Sequence, residues 1–134
     1  MNILLDTHIA IWALNDDPYL PQKARELILD PENSIYYSTV STWEILLKHS
    51  RDRSNLELSA AEFVEYCEEA GYNPLNLYDR HILAVSSLRQ KAGAPVHKDP
   101  FDQLLLAQAK TEKLRFLTHD RLIPTYEENF IIPV

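Results

Sequence analysis

Residues 2–14 read NILLDTHIAIWAL, and the change of pattern inside that stretch decides the fold. Asn2 to Leu5 is a short apolar run that stops at Asp6, as a buried strand does. Thr7 to Leu14 then reads as a helix, and Asp16-Asp17-Pro18 breaks it. The same alternation recurs down the chain. Pro21 suits the first position of a helix that puts Ala24, Leu27 and Ile28 on one face. Ser34 to Ser38 (SIYYS) has the β-branched and aromatic content of a strand. Ser41-Thr42-Trp43-Glu44 leads into a helix through Ile45, Leu46 and Leu47. Ser59 to Glu62 opens another helix, which Gly71 closes in the left-handed conformation. Asn73 to Leu77 is a short strand whose Pro74 places it at a start or a sheet edge. Asp79 to Ala92 is expected to be helical up to Gly93. Asp99-Pro100-Phe101-Asp102 starts a helix reaching Lys113, Arg115 to Thr118 (RFLT) is a strand, and Phe130 to Ile132 is the last.

Strands alternating with helices of about 10 to 15 residues predict an α/β fold, a parallel sheet flanked by helices on both faces. With 134 residues and no linker, repeat or low-complexity segment, residues 1–134 are expected to form a single domain. Ligands of such sheets bind beyond the carboxyl ends of the strands. Asp6 and Asp120, from opposite ends of the sequence, should therefore meet at one rim.

Composition removes several function classes. The single cysteine, Cys67, excludes an intramolecular disulfide and a Cys-rich zinc site. Two glycines, Gly71 and Gly93, cannot build a phosphate-cradling or dinucleotide-binding glycine loop. The net charge of −7 argues against a nucleic-acid binder that works by bulk electrostatics, so any nucleic-acid partner must be attracted by something else. No apolar run is long enough for a membrane span, and Met1 to Asp6 lacks the basic start of a signal peptide. A cytoplasmic protein is the expectation.

Asp6, Glu44, Asp102 and Asp120, with Asp99 beside them, fall at element junctions. Carboxylates crowded on one rim repel one another and hold their protons more tightly unless a cation intervenes. An all-oxygen set without thiolates favours Mg²⁺ or Mn²⁺, which can bridge carboxylates to phosphate oxygens and draw a polyanion to an acidic protein. Each acid also has a plain reading. Glu44 lies three residues after Ser41, the spacing of a capping box. Asp99 suits an N-cap and Asp102 the dipole of the first turn, while Asp6 and Asp120 could each cap a helix beginning at the next residue.

The segments LLDTHIAIWAL, SIYYSTVSTWEILLK, HKDPFDQLLLAQA and FLTHD together resemble the PIN domain, in particular the VapC-type toxins of toxin–antitoxin pairs. The resemblance covers nearly the whole chain, and the HKDPFDQLLLAQA block is its most specific part. It implies a Rossmann-like parallel sheet and a Mg²⁺- or Mn²⁺-dependent endoribonuclease acting on RNA. It further implies a homodimer held inactive by a cognate antitoxin protein. Carried over by motif, Asp6, Glu44, Asp102 and Asp120 are the catalytic and metal-binding acids, and Asp99 is a further candidate ligand. Thr7 and Thr118 are supporting hydroxyls that orient them. His119 stands where family members often carry a small residue.

A catalytically silent PIN module that scaffolds RNA or protein is the alternative, although silent members usually lose acids that are all present here. A phosphotransfer domain is disfavoured, because Asp6-Thr7-His8 contains neither adjacent acids nor Asp-x-Asp. His8, His97 and His119 flank the acids and are read as packing or hydrogen-bonding near them, since Mg²⁺ prefers oxygen. Cys67 and Trp43 are expected in the core. Lys48, Arg51 and Arg53, and Lys110, Lys113 and Arg115, read as solvated helix ends or as phosphate contacts. Trp12, Trp43, Tyr36 and Tyr37 are candidates for stacking bases or meeting an antitoxin helix.

Overall fold

A computed structural model of the chain describes residues 1–51 and 58–134; Arg53 lies outside the described residues. Five strands, β1 (Asn2–Leu5), β2 (Ser34–Ser38), β3 (Asn73–Leu75), β4 (Arg115–Thr118) and β5 (Ile131–Pro133), form one sheet in the order β3-β2-β1-β4-β5. Every pairing is parallel; Leu4 lies opposite Tyr36 on one side and Phe116 on the other. The described helices are α1 (Thr7–Leu14), α2 (Gln22–Leu29), α3 (Thr39–Arg51), α4 (Ala60–Glu69), α5 (Asp79–Ala84) and α6 (Pro100–Glu112).

Alternation along each strand builds two cores. Ile3, Leu5, Ile35, Tyr37, Leu117 and Ile132 point to one face and pack with Ile9 and Ala10 of α1, Ala24 of α2 and Phe63 and Cys67 of α4. Leu4 and Phe116 point the other way, onto Leu105, Leu106 and Ala109 of α6. Strands buried on both faces read as continuous apolar runs, which is why NILL and RFLT contain no polar alternation. Each such Leu or Ile side chain contributes about 1.5–3 kcal/mol by leaving water.

Local chemistry sets the element ends. Ser59 and Glu62 form a reciprocal capping box at α4, with Glu62 N bonded to Ser59 Oγ at 3.2 Å and Ser59 N to Glu62 Oε1 at 3.1 Å. At its other end Gly71 takes φ +79°, with bonds from Gly71 N to the Glu68 carbonyl and from Tyr72 N to the Cys67 carbonyl. Pro21 differs from expectation by one position, capping α2 rather than lying inside it.

The helix expected from Asp79 to Ala92 stops at Ala84, followed by a short 3-10 turn at Val85–Ser87. The Ser86 and Ser87 hydroxyls bond back to the Leu83 and Ala84 carbonyls, offering the backbone a competing arrangement. Gln90 beyond them pairs with Tyr126 in an isolated bridge, so Gly93, at φ +82°, serves a turn and not a helix end.

The chain runs outward from β1 through β2 to β3, then returns across the sheet to β4 on the other side of β1. That reversal opens a crevice at the carboxyl ends of β1 and β4, where Asp6 and Asp120 begin their loops.

Candidate metal centre

Asp6 continues the ladder, its N–H donating to the Leu117 carbonyl at 3.0 Å, and then caps α1. Its Oδ1 accepts from Thr7 N at 2.8 Å and its Oδ2 from the Thr118 hydroxyl at 2.6 Å. The same Thr118 oxygen accepts from Asp120 N at 3.0 Å, so one hydroxyl ties the two strand-end acids together. Thr7 works differently from the expectation: it orients Asp6 through its N–H, and its hydroxyl bonds Ser41 Oγ at 2.8 Å. Asp120 Oδ1 accepts from Leu122 N at 2.8 Å, making a short turn rather than capping a helix.

Glu44 is no capping residue. Helix α3 begins at Thr39, five residues before Glu44, and Ser38 Oγ accepts from Val40 N at that start. Glu44 thus lies in the second turn, only 3% exposed, with Oε2 paired to Lys48 one turn on. Its Oε1 is buried without a hydrogen-bond partner. A buried oxygen left so costs about 1–3 kcal/mol, more when charged.

Asp99 caps α6, its Oδ1 accepting from Phe101 N at 2.9 Å and Asp102 N at 3.2 Å. That places Asp102 in the first helical turn, 8% exposed, with Oδ2 3.0 Å from His97 Nε2. His97 Nδ1 lies 2.8 Å from the Tyr126 hydroxyl. One ligand atom each from His97, Asp102 and Asp120 fall within 4.8 Å of one another. Both imidazole nitrogens are already engaged, however, so His97 is better suited to orienting Asp102 than to ligating an ion. Orientation of a ligating carboxylate by a neighbouring hydrogen-bond partner is a general feature of metal sites.

Asp6, Glu44, Asp99, Asp102 and Asp120 line one open cleft of about 200 Å³, with Lys48 on its wall. Burial pushes the Asp6 carboxyl up from 3.8 to about 6, against the hydrogen bonds from Thr118 and Thr7. Asp102 is pushed up from 3.8 to about 8, first by burial and then by the charges of Asp6, Asp99, Asp120 and Glu44. A hard divalent cation fits this set. It would meet oxygen donors, neutralise their repulsion and give Glu44 Oε1 the partner it lacks.

The remaining expectations divide. Cys67 is core, its thiol pushed up to about 12 chiefly by burial, which leaves it unreactive. Trp43 is not core: it is 54% exposed, because the residue next to a buried helix position points elsewhere. Lys110 pairs with Glu128 at 2.6 Å, and Lys113 ends α6 in the left-handed conformation; both lie at the far end of the helix from Asp102. Among the described residues, Lys48 is the one lysine or arginine that lines the cleft. Tyr126 had no sequence signal, since its link to the site is a single bond across 29 positions.

A family model described as the PIN domain matches residues 3–129. Solved structures with the same fold include VapBC2 from Rickettsia felis bound to a promoter DNA fragment, with TM-score 0.70 and 14% identity over 100% of this chain and 99% of that one. DNA-bound VapBC from Salmonella typhimurium aligns with TM-score 0.65 and 17% identity over 99% and 98% of the two chains. FitAcB from Neisseria gonorrhoeae aligns at 0.56 and 21% over 90% and 88%. A search of curated proteins finds no match.

Proposed function

The chain belongs to the PIN domain family, and from that premise we propose that it is a metal-dependent endoribonuclease, the VapC-type toxin of a toxin–antitoxin pair. The observation that carries this reading is Glu44 Oε1, a buried and unpartnered carboxylate oxygen in a cleft with four aspartates. Lys48 engages the other oxygen, but among the described residues Oε1 has no partner, and a divalent ion would supply one.

Asp6, Glu44, Asp102 and Asp120 would hold Mg²⁺ or Mn²⁺, with Asp99 fixing the first turn of α6 and able to add an oxygen. A bound divalent ion supplies positive charge for phosphate oxygens and activates a water molecule for in-line attack. The protein's own groups hold the geometry. Thr118 pins Asp6 and Asp120, the relay from Tyr126 through His97 steadies Asp102, and Lys48 keeps Glu44 extended toward the cleft while offering a phosphate a cation. No side chain is assigned as nucleophile. Because the acids repel RNA until an ion is bound, substrate and metal should bind cooperatively.

VapBC assemblies among the solved structures support a cognate antitoxin as partner. An apolar groove lined by Leu14, Ile28, Leu29, Tyr66 and Tyr72 suits one of its segments. Exposed Tyr78, Ile82 and Leu83 along α5 support a homodimer. We place the protein in the cytoplasm; among the described residues no helix is long and apolar enough to cross a membrane.

The test is cleavage of total RNA and of ribosomes by antitoxin-free protein with Mg²⁺, with Mn²⁺ and with chelator. Cleavage should require the metal and fall at least a hundredfold in Asp6→Asn, whose fold should survive the near-isosteric change. RNA binding indifferent to metal, with no cleavage, would favour a silent scaffold instead.

A further inference from the structure

Three parts of the chain bring aromatic rings to one wall of the acidic cleft. His8 and Trp12 share a face of α1, their ring centroids 6.0 Å apart. His119, between β4 and Asp120, meets the indole edge-on at 5.7 Å, with planes at 65°. Tyr19, held by a bond from its N–H to Asp17 Oδ1, approaches to 6.2 Å and is 76% exposed. His8, Trp12 and His119 line the cleft together with the carboxylates, and Trp12 is only half-buried although its inner edge packs on the core. Packing alone does not explain why a large ring borders a solvated, charged cleft, where each exposed apolar atom sacrifices the burial it could have had.

We propose that Trp12, flanked by His8 and His119, is a stacking platform for an unpaired nucleobase next to the phosphate held at the acids. The inference rests on the nuclease reading of the site and adds to it a residue that positions the unpaired substrate. Two facts favour a base over an apolar protein segment. The platform is continuous with the carboxylates, since His8 is two residues from Asp6 and His119 is adjacent to Asp120. It is also edged by two imidazoles that can hydrogen-bond to base edges or ribose. A base in a duplex is already stacked on both faces and paired, so it cannot reach the indole; an unpaired base can. Every base has a π-face, so the platform selects for strandedness more than for sequence.

The test uses the full chain carrying Trp43→Phe, which leaves Trp12 as its one tryptophan. A short fluorescein-labelled oligoadenylate, the same strand with abasic sites, and a duplex of equal length are titrated with Ca²⁺ present. Binding is read by anisotropy and stacking by indole emission. Oligoadenylate should quench Trp12 and bind about tenfold more tightly than the abasic strand, and the duplex should not quench. Trp12→Leu should remove that tenfold preference while leaving abasic-strand affinity unchanged, and Trp12→Phe should keep most of it. Thermal melts confirm that each variant is folded. Equal binding of abasic and base-bearing strands, no binding of either, quenching by the duplex, or a Leu variant with its preference intact would overturn the proposal. Failure of the nuclease reading looks different: no metal-dependent cleavage of any RNA, with quenching by oligoadenylate unaffected.

Discussion

Asp102 is the residue on which the site's electrostatics converge. Four other carboxylates and its own burial raise it to about 8, so in metal-free protein at neutral pH it holds its proton. Replacing it by Asn keeps the shape and removes the repulsion. Asp102→Asn is therefore expected to abolish cleavage yet stabilise the metal-free protein at pH 8 by about 1–3 kcal/mol, a trade-off common at functional sites. Denaturant unfolding in chelator checks it. His97 and Tyr126 act one bond further out. Tyr126→Phe deletes the hydroxyl that orients His97, so it should raise the Mg²⁺ concentration needed for half-maximal cleavage about tenfold, at a stability cost of about 1–3 kcal/mol for the imidazole nitrogen left unpartnered. A metal titration of activity reads this, and a shift in melting temperature alone would point to packing instead. His97 stood beside the acids in sequence and could be noticed there; Tyr126 could not, because only the folded chain brings its hydroxyl within 2.8 Å of the ring.

Elements place these residues, and their ends are where sequence reading succeeded or failed. The ends of α1 were legible because an apolar run stops at an acid and a helical period begins beyond it, and β2 and β4 were equally plain. The start of α3 was not. Ser41-x-x-Glu44 has the spacing of a capping box, but Ser38 takes that role three residues earlier, and Ser41 turns its hydroxyl to Thr7. A shift of three residues moves Glu44 from the helix mouth to the second turn, where it is buried and facing the cleft. Helix α5 is shorter than expected for a related reason: Ser86 and Ser87 bond back to carbonyls three residues earlier, a local competition that apolar periodicity does not display. The ends of α4 carry their own prediction. Gly71 has no neighbour within 4 Å of an added Cβ, so Gly71→Ala should cost only the strain of φ +79°, about 1 kcal/mol. Ser59→Ala should cost a similar amount, about 1 kcal/mol, by opening the box. Both are read by thermal unfolding, and neither should alter cleavage.

At the scale of the whole molecule, the topology converts an acidic protein into a conditional one. Reversal of the chain between β3 and β4 opens the crevice beside β1, and helices α3 and α6 add Glu44 and Asp102 to the strand-end acids. Asp6 and Asp102 bind protons more tightly folded, at about 6 and about 8, than at their ordinary 3.8. The stability this confers is full below pH 3.8 and is lost as pH rises through 6 and then 8. Glu112, lowered first by its hydrogen bond from Arg80 and then by that with His81, works in the opposite sense and loses its contribution as pH falls below 4.5. Metal-free protein should therefore be most stable at about pH 4 and lose stability toward pH 8. Saturating Mg²⁺ should restore it most at the alkaline end, where the carboxylates are ionised, as melting curves across pH in chelator and in Mg²⁺ would show.

Whether these acids hold a divalent ion is read from Mn²⁺ binding followed by electron paramagnetic resonance. Wild-type protein is expected to bind Mn²⁺ in competition with Mg²⁺, and Glu44→Gln, folded by the same melting criterion, to lose that binding. Mn²⁺ held equally well by the variant, or not held by the wild type at all, would contradict the account.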